Sequence, residues 1–302
     1  MILFENSKFN NIFIYDLEFI GDINAINTCQ IWDISVLYVQ TGEIFNAIID
    51  PDPNLYFFPP PVVEGLFNLT RSFLNENNAK TFPIAWQSLI NWVSIRTQNK
   101  NCVFISHNNF YSDKPILENH VNAWTNTIPK NWYFFDSLNY FRDNIKTTND
   151  YSLKGLVNLI LQKTHTDAHR AETDTRRLYE CLDIYTNGQW NLKGPCYPPF
   201  MTSLRILKGV GNAVENAFFN YGITCEEYLF QQVNLIMQMA TSINKEPHHV
   251  VYQFIFDILN KDKIPPDNVV TIVQSILLNN PYRNTLFGGN FYANTFDNIF
   301  NR

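Results

Sequence analysis

Two acidic residues interrupt an apolar segment near the start of the chain. Asp16 and Glu18 lie two positions apart within residues 11–19, NIFIYDLEF, a pattern typical of a β-strand. Because side chains alternate between the two faces of a strand, both carboxylates are expected on the same face of a sheet. Burying two acids among apolar side chains is costly unless a cation neutralises them, so the pair is a candidate divalent-metal site. Two solvated acids at a strand edge are the alternative interpretation.

Two further groups of polar residues follow later in the chain. Asp113 lies in SHNNFYSDKPIL, residues 106–117, where a predicted strand passes into a helix, and capping that helix is its ordinary role. His169 and Asp174 lie five positions apart where another predicted helix begins, and solvation on an amphipathic helix is their ordinary interpretation. Each group alone is weak, and it is their combination in this order that favours a catalytic site.

The elements that must position these residues form a mixed pattern. Five segments are predicted as strands: residues 11–19, 34–40, 43–50, 102–106 and 132–136. Helices are predicted near residues 63–75 and 84–97, from Asp113 onward, and near residues 151–162 and 170–186. A strand meander followed by β/α alternation predicts an α/β fold, in which a mixed sheet is flanked by helices.

The composition allows a globular protein and lacks the footprint of a basic nucleic-acid-binding domain. The 302 residues are 45% hydrophobic, enough for a normal core, and the formal net charge is −6. An acidic protein can still bind a polyanion when divalent cations neutralise its carboxylates. The five cysteines form no CxxC pair and are expected to be reduced, buried thiols. The start of the chain lacks signal-peptide features, and no run reaches the ~18 apolar residues of a membrane span. We expect an intracellular protein, cytoplasmic or nuclear, that is neither secreted nor membrane-bound.

In combination, the three groups resemble the motifs of the DEDDh exonucleases, the family of the proofreading subunit of bacterial DNA polymerase III, RNase T, oligoribonuclease and the TREX enzymes. The family motif D-x-E-x-x-G is matched by residues 16–21, and H-x4-D is matched by residues 169–174. The H-N stretch that leads into an Asp is matched by His107, Asn108 and Asp113. FDSL and YSLKGL, which begin at positions 135 and 151, resemble two further family segments. The resemblance covers about residues 12–185.

The resemblance implies an RNase H-like fold and a metal-dependent 3′→5′ exonuclease that releases nucleoside monophosphates from DNA or RNA. It implies that two Mg²⁺ or Mn²⁺ ions are held by four carboxylates, with His169 as general base. The four carboxylates are those of Asp16, Glu18, Asp113 and Asp174. A nucleic-acid-binding subunit of a replication or repair complex, which keeps this fold without turnover, is the alternative.

Residues beside the predicted metal site are candidates for contact with the terminal nucleotides. Aromatic and apolar side chains could stack on or wedge the bases, and the H-N stretch could position the strand. The candidates are Phe19, Ile20, His107, Asn108, Phe110 and Tyr111. Phe19 and Ile20 replace the small hydroxyl residues that are usual in the family. Core packing is the alternative role for the apolar and aromatic candidates, and capping of a turn is the alternative for Asn108.

A second domain is predicted after the Gly- and Pro-rich segment 187–200, so that residues 1–190 form the exonuclease domain and residues 191–302 a mostly helical C-terminal domain. Residues 203–230 are predicted as a helix, a Gly-Val-Gly turn and two more helices, which resembles a helix-hairpin-helix. Such a turn lets backbone amides approach a phosphate, with Lys208, Gly209 and Gly211 as the contacts. An ordinary helical turn is the alternative, and the helical region is also a candidate for binding a protein partner.

Overall fold

The computed structural model describes residues 2–3, 9–51, 69–164, 170–201, 204–242, 247–265 and 269–280. The chain divides into two compact units, Met1–Phe200 and Met201–Arg302. The sequence-based boundary at residue 190 falls before this division. The intervening segment contains a short strand that pairs with the start of the chain, within the first unit.

The first unit is built on a mixed five-stranded sheet. The strands in chain order are β1 (Ile2–Leu3), β2 (Asn11–Ile20), β3 (Gln30–Tyr38), β4 (Ile44–Ile48), β5 (Cys102–Ser106), β6 (Trp132–Asp136) and β7 (Pro195–Cys196). β1 and β7 form a separate antiparallel pair, and the order in the large sheet is β4-β3-β2-β5-β6. β3 is antiparallel to both β2 and β4, whereas β5 runs parallel to β2 and to β6. The predicted mixed α/β sheet is confirmed.

Helices pack on both faces of this sheet. They are α1 (Arg71–Glu76), α2 (Phe82–Thr97), α3 (Asp113–Ala123), α4 (Ser137–Asn144), α5 (Leu153–Leu156) and α6 (Ala171–Tyr185). On one face, Phe13 of β2 packs against Trp92 of α2 at a ring distance of 5.8 Å. On the other face, Ile12 and Ile14 share a buried cluster with Leu178 of α6. Because side chains alternate along β2 up to the bulge after Glu18, Asp16 and Glu18 lie on the same face as Ile14, which α6 covers.

Several element boundaries differ from the prediction. β3 begins at Gln30 rather than at residue 34, and α4 was not predicted. The helix predicted over residues 151–162 is a single α-helical turn followed by a π-helix at Val157–Leu161. In the helix predicted near residues 63–75, positions 63–68 lie outside the described residues, and α1 begins at Arg71.

The described part of the second unit is helical. Its helices are α7 (Asn212–Asn220), α8 (Glu226–Ser242), α9 (Pro247–Lys261) and α10 (Val269–Asn279), which surround one apolar core. The first element of the predicted helix-hairpin-helix is only a 3-10 turn at Leu204–Ile206 in the described residues. All five cysteines of the chain are buried free thiols. Among the helices that the structure describes, none has the length and apolar character needed to cross a membrane.

Candidate active site

Three acidic residues from two distant segments converge on one side of the sheet. Asp16 and Glu18 lie in the second half of β2, on the face that α6 covers. Asp174 lies in the first turn of α6, and its N–H donates to the carbonyl oxygen of Arg170 at 3.1 Å. One carboxylate oxygen of each acid lies within 4.8 Å of the other two. The structure therefore brings together three of the four predicted metal ligands.

Asp113, the fourth predicted ligand, is held between β2 and β5. Its Oδ1 accepts a hydrogen bond from the Leu17 N–H at 3.0 Å, and its Oδ2 accepts one from the Ser106 hydroxyl at 2.7 Å. Leu17 lies between the two acids of β2, so Asp113 is fixed next to Asp16. Asp113 is 4% exposed and begins α3, so strand β5 and its following loop deliver it to this position.

Burial and mutual repulsion disfavour the ionised forms of these acids. Burial, followed by the charges of Asp113 and Glu18, raises the pKa of Asp16 well above its usual range. Burial and the charge of Asp174 raise the pKa of Glu18 to about 8. Burial raises the pKa of Asp113 to about 7, although its hydrogen bonds from Ser106 and Leu17 oppose the change. A bound cation, or protonation of some of these acids, would therefore stabilise the cluster.

Comparison with solved structures shows that the fold of this chain is a known one. No family model matches the chain, and no curated protein matches it by sequence. The nuclease domain of 3′hExo, a DEDDh family member bound to rAMP, superposes with a TM-score of 0.50 and 16% identity, covering 63% of this chain and 98% of that one. A full-length 3′-exonuclease superposes with a TM-score of 0.51 and 13% identity, covering 62% and 85%. A 3′-exonuclease described for 3′-end-specific recognition of a histone mRNA stem-loop gives 0.50 and 12%, covering 61% and 66%. The chain contains the DEDDh exonuclease fold.

The acids of this DEDDh fold have the chemistry of a divalent-metal site. All the donors are carboxylate oxygens, the hard ligands that Mg²⁺ and Mn²⁺ prefer. The positive charge of Arg170 acts on Glu18 and lowers its pKa, but burial and the neighbouring acids outweigh that effect. A divalent ion would offset the repulsion within the cluster, so the residues present fit such an ion.

Asp33 is a further acid at the site that the sequence analysis missed. It lies opposite Glu18 in the pairing of β2 with β3, and it is 3% exposed. Its Oδ2 accepts hydrogen bonds from Arg170 Nε at 3.1 Å and from the Ala171 N–H at 3.3 Å. The available signal was an acid within the apolar run IWDISVLYV, but the predicted strand began one residue after it.

The remaining predicted residues fall in different surroundings. His169, the predicted general base, lies outside the described residues. The ring nitrogens of His107 lie 3.1 Å from the Ser137 hydroxyl and 2.7 Å from the Tyr151 carbonyl oxygen. Burial lowers the pKa of His107 to about 4, so this ring is neutral and fixed. Asn108 has a left-handed backbone (φ 61°), and its carbonyl oxygen accepts from the N–H groups of two later residues, which makes it a turn residue.

Two of the predicted base-contacting residues are buried, as the alternative of core packing expects. Ile20 is 3% exposed and packs in a cluster with Trp32 and Leu74. Phe110 is 4% exposed, and its ring packs edge-on against Tyr197 at 5.0 Å. Both side chains pack in the core, and their contact with a base stays a prediction. Of the other aromatic candidates, Phe19 is partly exposed and Tyr111 is 46% exposed.

In the second unit, the Gly-Val-Gly turn packs against α10. A Cβ added to Gly209 would lie 3.0 Å from Ile272 Cγ1, and the φ of Gly209 is +88°. The Lys208 N–H donates to the Ser275 hydroxyl at 2.8 Å. Close packing and a left-handed backbone thus account for Gly209, and phosphate binding by this turn stays a prediction.

Proposed function

We propose that the protein is a metal-dependent 3′→5′ exonuclease that hydrolyses terminal phosphodiester bonds of DNA or RNA. The observation that carries the proposal is the convergence of the Asp16, Glu18 and Asp174 carboxylates within 4.8 Å, on a sheet of the DEDDh exonuclease fold. Asp113 completes the set of acids beside Asp16.

The proposed ligands are these four carboxylates, which would hold two Mg²⁺ or Mn²⁺ ions. The chemistry that such a pair supplies when bound is a more acidic water and stabilisation of charge on the reacting phosphate and the leaving oxygen. The protein's own part is to hold the acids in place. Ser106 and the Leu17 N–H fix Asp113, and α6 carries Asp174 to the strand that bears Asp16.

His169 is proposed to accept a proton from the attacking water. An unperturbed imidazole, with a pKa of ~6.5, is largely neutral at pH 7 to 8 and can act as a base. His107 is a poor alternative, because burial lowers its pKa to about 4 and both of its ring nitrogens have partners. Tyr111, at the exposed end of the loop before α3, is the candidate for stacking on a terminal base.

The test is degradation of single-stranded oligonucleotides that carry the label at the 3′ or at the 5′ end. With Mn²⁺ we expect immediate loss of a 3′ label as a mononucleotide and stepwise shortening of a 5′-labelled strand, both abolished by EDTA. Parallel DNA and RNA substrates identify the preferred sugar, because only RNA offers the 2′-hydroxyl.

Three variants make the assay specific. Asp16→Asn and Asp174→Asn should abolish cleavage, and His169→Asn should abolish turnover while Mn²⁺ binding persists. Glu43→Gln is the matched control, because Glu43 is an exposed acid that pairs with Arg96 at 3.0 Å. Binding of the oligonucleotide without any shortening would contradict the proposal and favour the non-catalytic subunit.

A further inference from the structure

The start of α6 is held by a residue of β3 rather than by its own capping residue. Arg170, at the N-cap position, makes no side-chain capping hydrogen bond. The first N–H groups of a helix have no partner within the helix, and an anion is favoured beside them. Asp33, which is 137 positions away from Arg170 in the sequence, supplies the acceptor for the N–H of Ala171.

The same oxygen of Asp33 also fixes Arg170. Oδ2 forms the ion pair with Arg170 Nε at 3.1 Å, and the Arg170 guanidinium lies 5.7 Å from the centre of the Phe73 ring. The Asp33 side chain is 4% exposed and that of Arg170 is 48% exposed, so the acid is the buried half of the pair. Residues 170 and 171 are therefore tied to β3 by a single carboxylate.

This attachment acts on the turn that carries Asp174. The N–H of Asp174 donates to the carbonyl oxygen of Arg170, so the position of residue 170 is transmitted through one helical turn. Asp33 also lies opposite Glu18, so the carboxylate that holds α6 is in register with an acid of the cluster. Among the described residues, the group of ligand atoms comprises Asp16, Glu18 and Asp174 and does not include Asp33.

We propose that Asp33 is the positioning residue of this site: by holding the start of α6 through Arg170 and Ala171, it sets Asp174 against the two acids of β2. The inference rests on the proposed metal site. It assigns Asp33 no contact with metal or substrate.

The test compares Asp33→Ala with Asp33→Asn in the full-length chain. Asparagine keeps an oxygen that can accept from Ala171 and loses the charge, whereas alanine loses the oxygen. Substitution of residues that orient metal ligands costs about 10–100-fold in metal affinity. We expect Mn²⁺ binding, followed by the electron paramagnetic resonance signal of free Mn²⁺, to weaken about 10-fold or more in Asp33→Ala. Asp33→Asn should stay within about 3-fold of the wild type. Glu43→Gln, which alters an acid outside the site, should match the wild type.

A second readout needs no metal. Hydrogen exchange of the peptide that begins at Ala171, measured in EDTA, should be about 10-fold faster in Asp33→Ala and unchanged in Glu43→Gln. If wild-type protein does not bind Mn²⁺, the proposed function fails, but the exchange comparison still decides the role of Asp33. Unchanged exchange in Asp33→Ala, or equal losses of Mn²⁺ affinity in Asp33→Ala and Asp33→Asn, would overturn the positioning role.

Should Asp33→Ala lose its fold in circular dichroism, Arg170→Met is the variant to measure. About half of the Arg170 side chain is exposed, so we expect this substitution to leave the fold intact. Removing this positive charge near Glu18 would, by charge alone, tighten Mn²⁺ binding. If Arg170 instead acts with Asp33 to hold the helix start, binding weakens. Weaker binding supports the proposal, and tighter binding refutes it.

Discussion

Asp16→Asn should make the metal-free protein more stable while abolishing its activity. Carboxylate oxygens of Asp16, Glu18 and Asp174 lie within 4.8 Å of one another. Two unit charges at this separation repel by about 3.5 kcal/mol at an effective dielectric constant of ~20. Asp16 takes part in two such pairs, and bound protons relieve part of the repulsion. We therefore expect a gain of about 2 kcal/mol at pH 8, which is a rise in Tm of about 4–8 °C for a unit of this size.

The gain should depend on pH. Burial and neighbouring charges raise the pKa of Asp16, Glu18 and Asp113, so the folded metal-free protein binds protons that the unfolded chain releases. The stability that these groups contribute is complete below their unfolded pKa values of about 4. It is lost as the pH rises through the folded values, about 7 for Asp113 and about 8 for Glu18. The wild type in EDTA should thus lose stability from pH 5 to pH 8, and the advantage of Asp16→Asn should be small at pH 5.

Calorimetry with and without Mn²⁺ measures both effects. Mn²⁺ at 100 times its Kd should stabilise the wild type by about 2.7 kcal/mol, and Asp16→Asn should gain much less. Glu43→Gln should behave as the wild type in every condition. The reasoning is refuted if Asp16→Asn melts at or below the wild-type temperature in EDTA at pH 8, or if Mn²⁺ stabilises both proteins equally.

Three further substitutions test other features of the structure. Ser106→Ala removes the hydroxyl that donates to Asp113 at 2.7 Å, and it should weaken Mn²⁺ binding about 10-fold in a titration while the fold persists; wild-type affinity would contradict this role. Gly21→Ala should destabilise the protein by about 2–4 kcal/mol in urea unfolding, because φ is +137° and the new Cβ would lie 2.7 Å from Cys29 Cα. A loss of stability below about 1 kcal/mol would contradict this reasoning, because it would show that the loop accommodates the new side chain with little strain. Gly209→Ala should lower the stability of the second unit by about 1–3 kcal/mol, because of its φ of +88° and the contact with Ile272; weaker oligonucleotide binding with unchanged unfolding would instead support a phosphate-binding turn.

The strands of the sheet were predictable where their residues are apolar. β5 and β6 were predicted with their observed bounds, because CVFIS and WYFFD are short runs of apolar and aromatic residues. The start of β3 was missed because Gln30 and Asp33 interrupt the pattern. Asp33 is tolerated inside a strand because a partner from the far end of the unit, Arg170, lies beside it. Such a partner is visible only in three dimensions.

Residue types at the site were more predictable than residue environments. The resemblance of three short motifs, in their order along the chain, to those of the DEDDh exonucleases indicated the cluster. Phe19, Ile20 and Phe110 offered the same apolar character in the sequence, and only tertiary packing separates the two buried side chains from the partly exposed Phe19. The two hydrogen-bond partners of His107, the Ser137 hydroxyl and the Tyr151 carbonyl oxygen, lie 30 and 44 residues later in the chain, and no local pattern encodes them.

The arrangement of the acids also has a consequence for timing. Asp174 and its anchor at Ala171 come from the last long helix of the first unit, whereas Asp16 and Asp33 come from its first long strands. During synthesis, the strand acids emerge from the ribosome long before that helix, and contacts so distant in sequence form slowly. A nascent or truncated chain that ends before α6 therefore holds an incomplete ligand set. The proposed metal site is thereby completed only when nearly the whole unit has been made and folded.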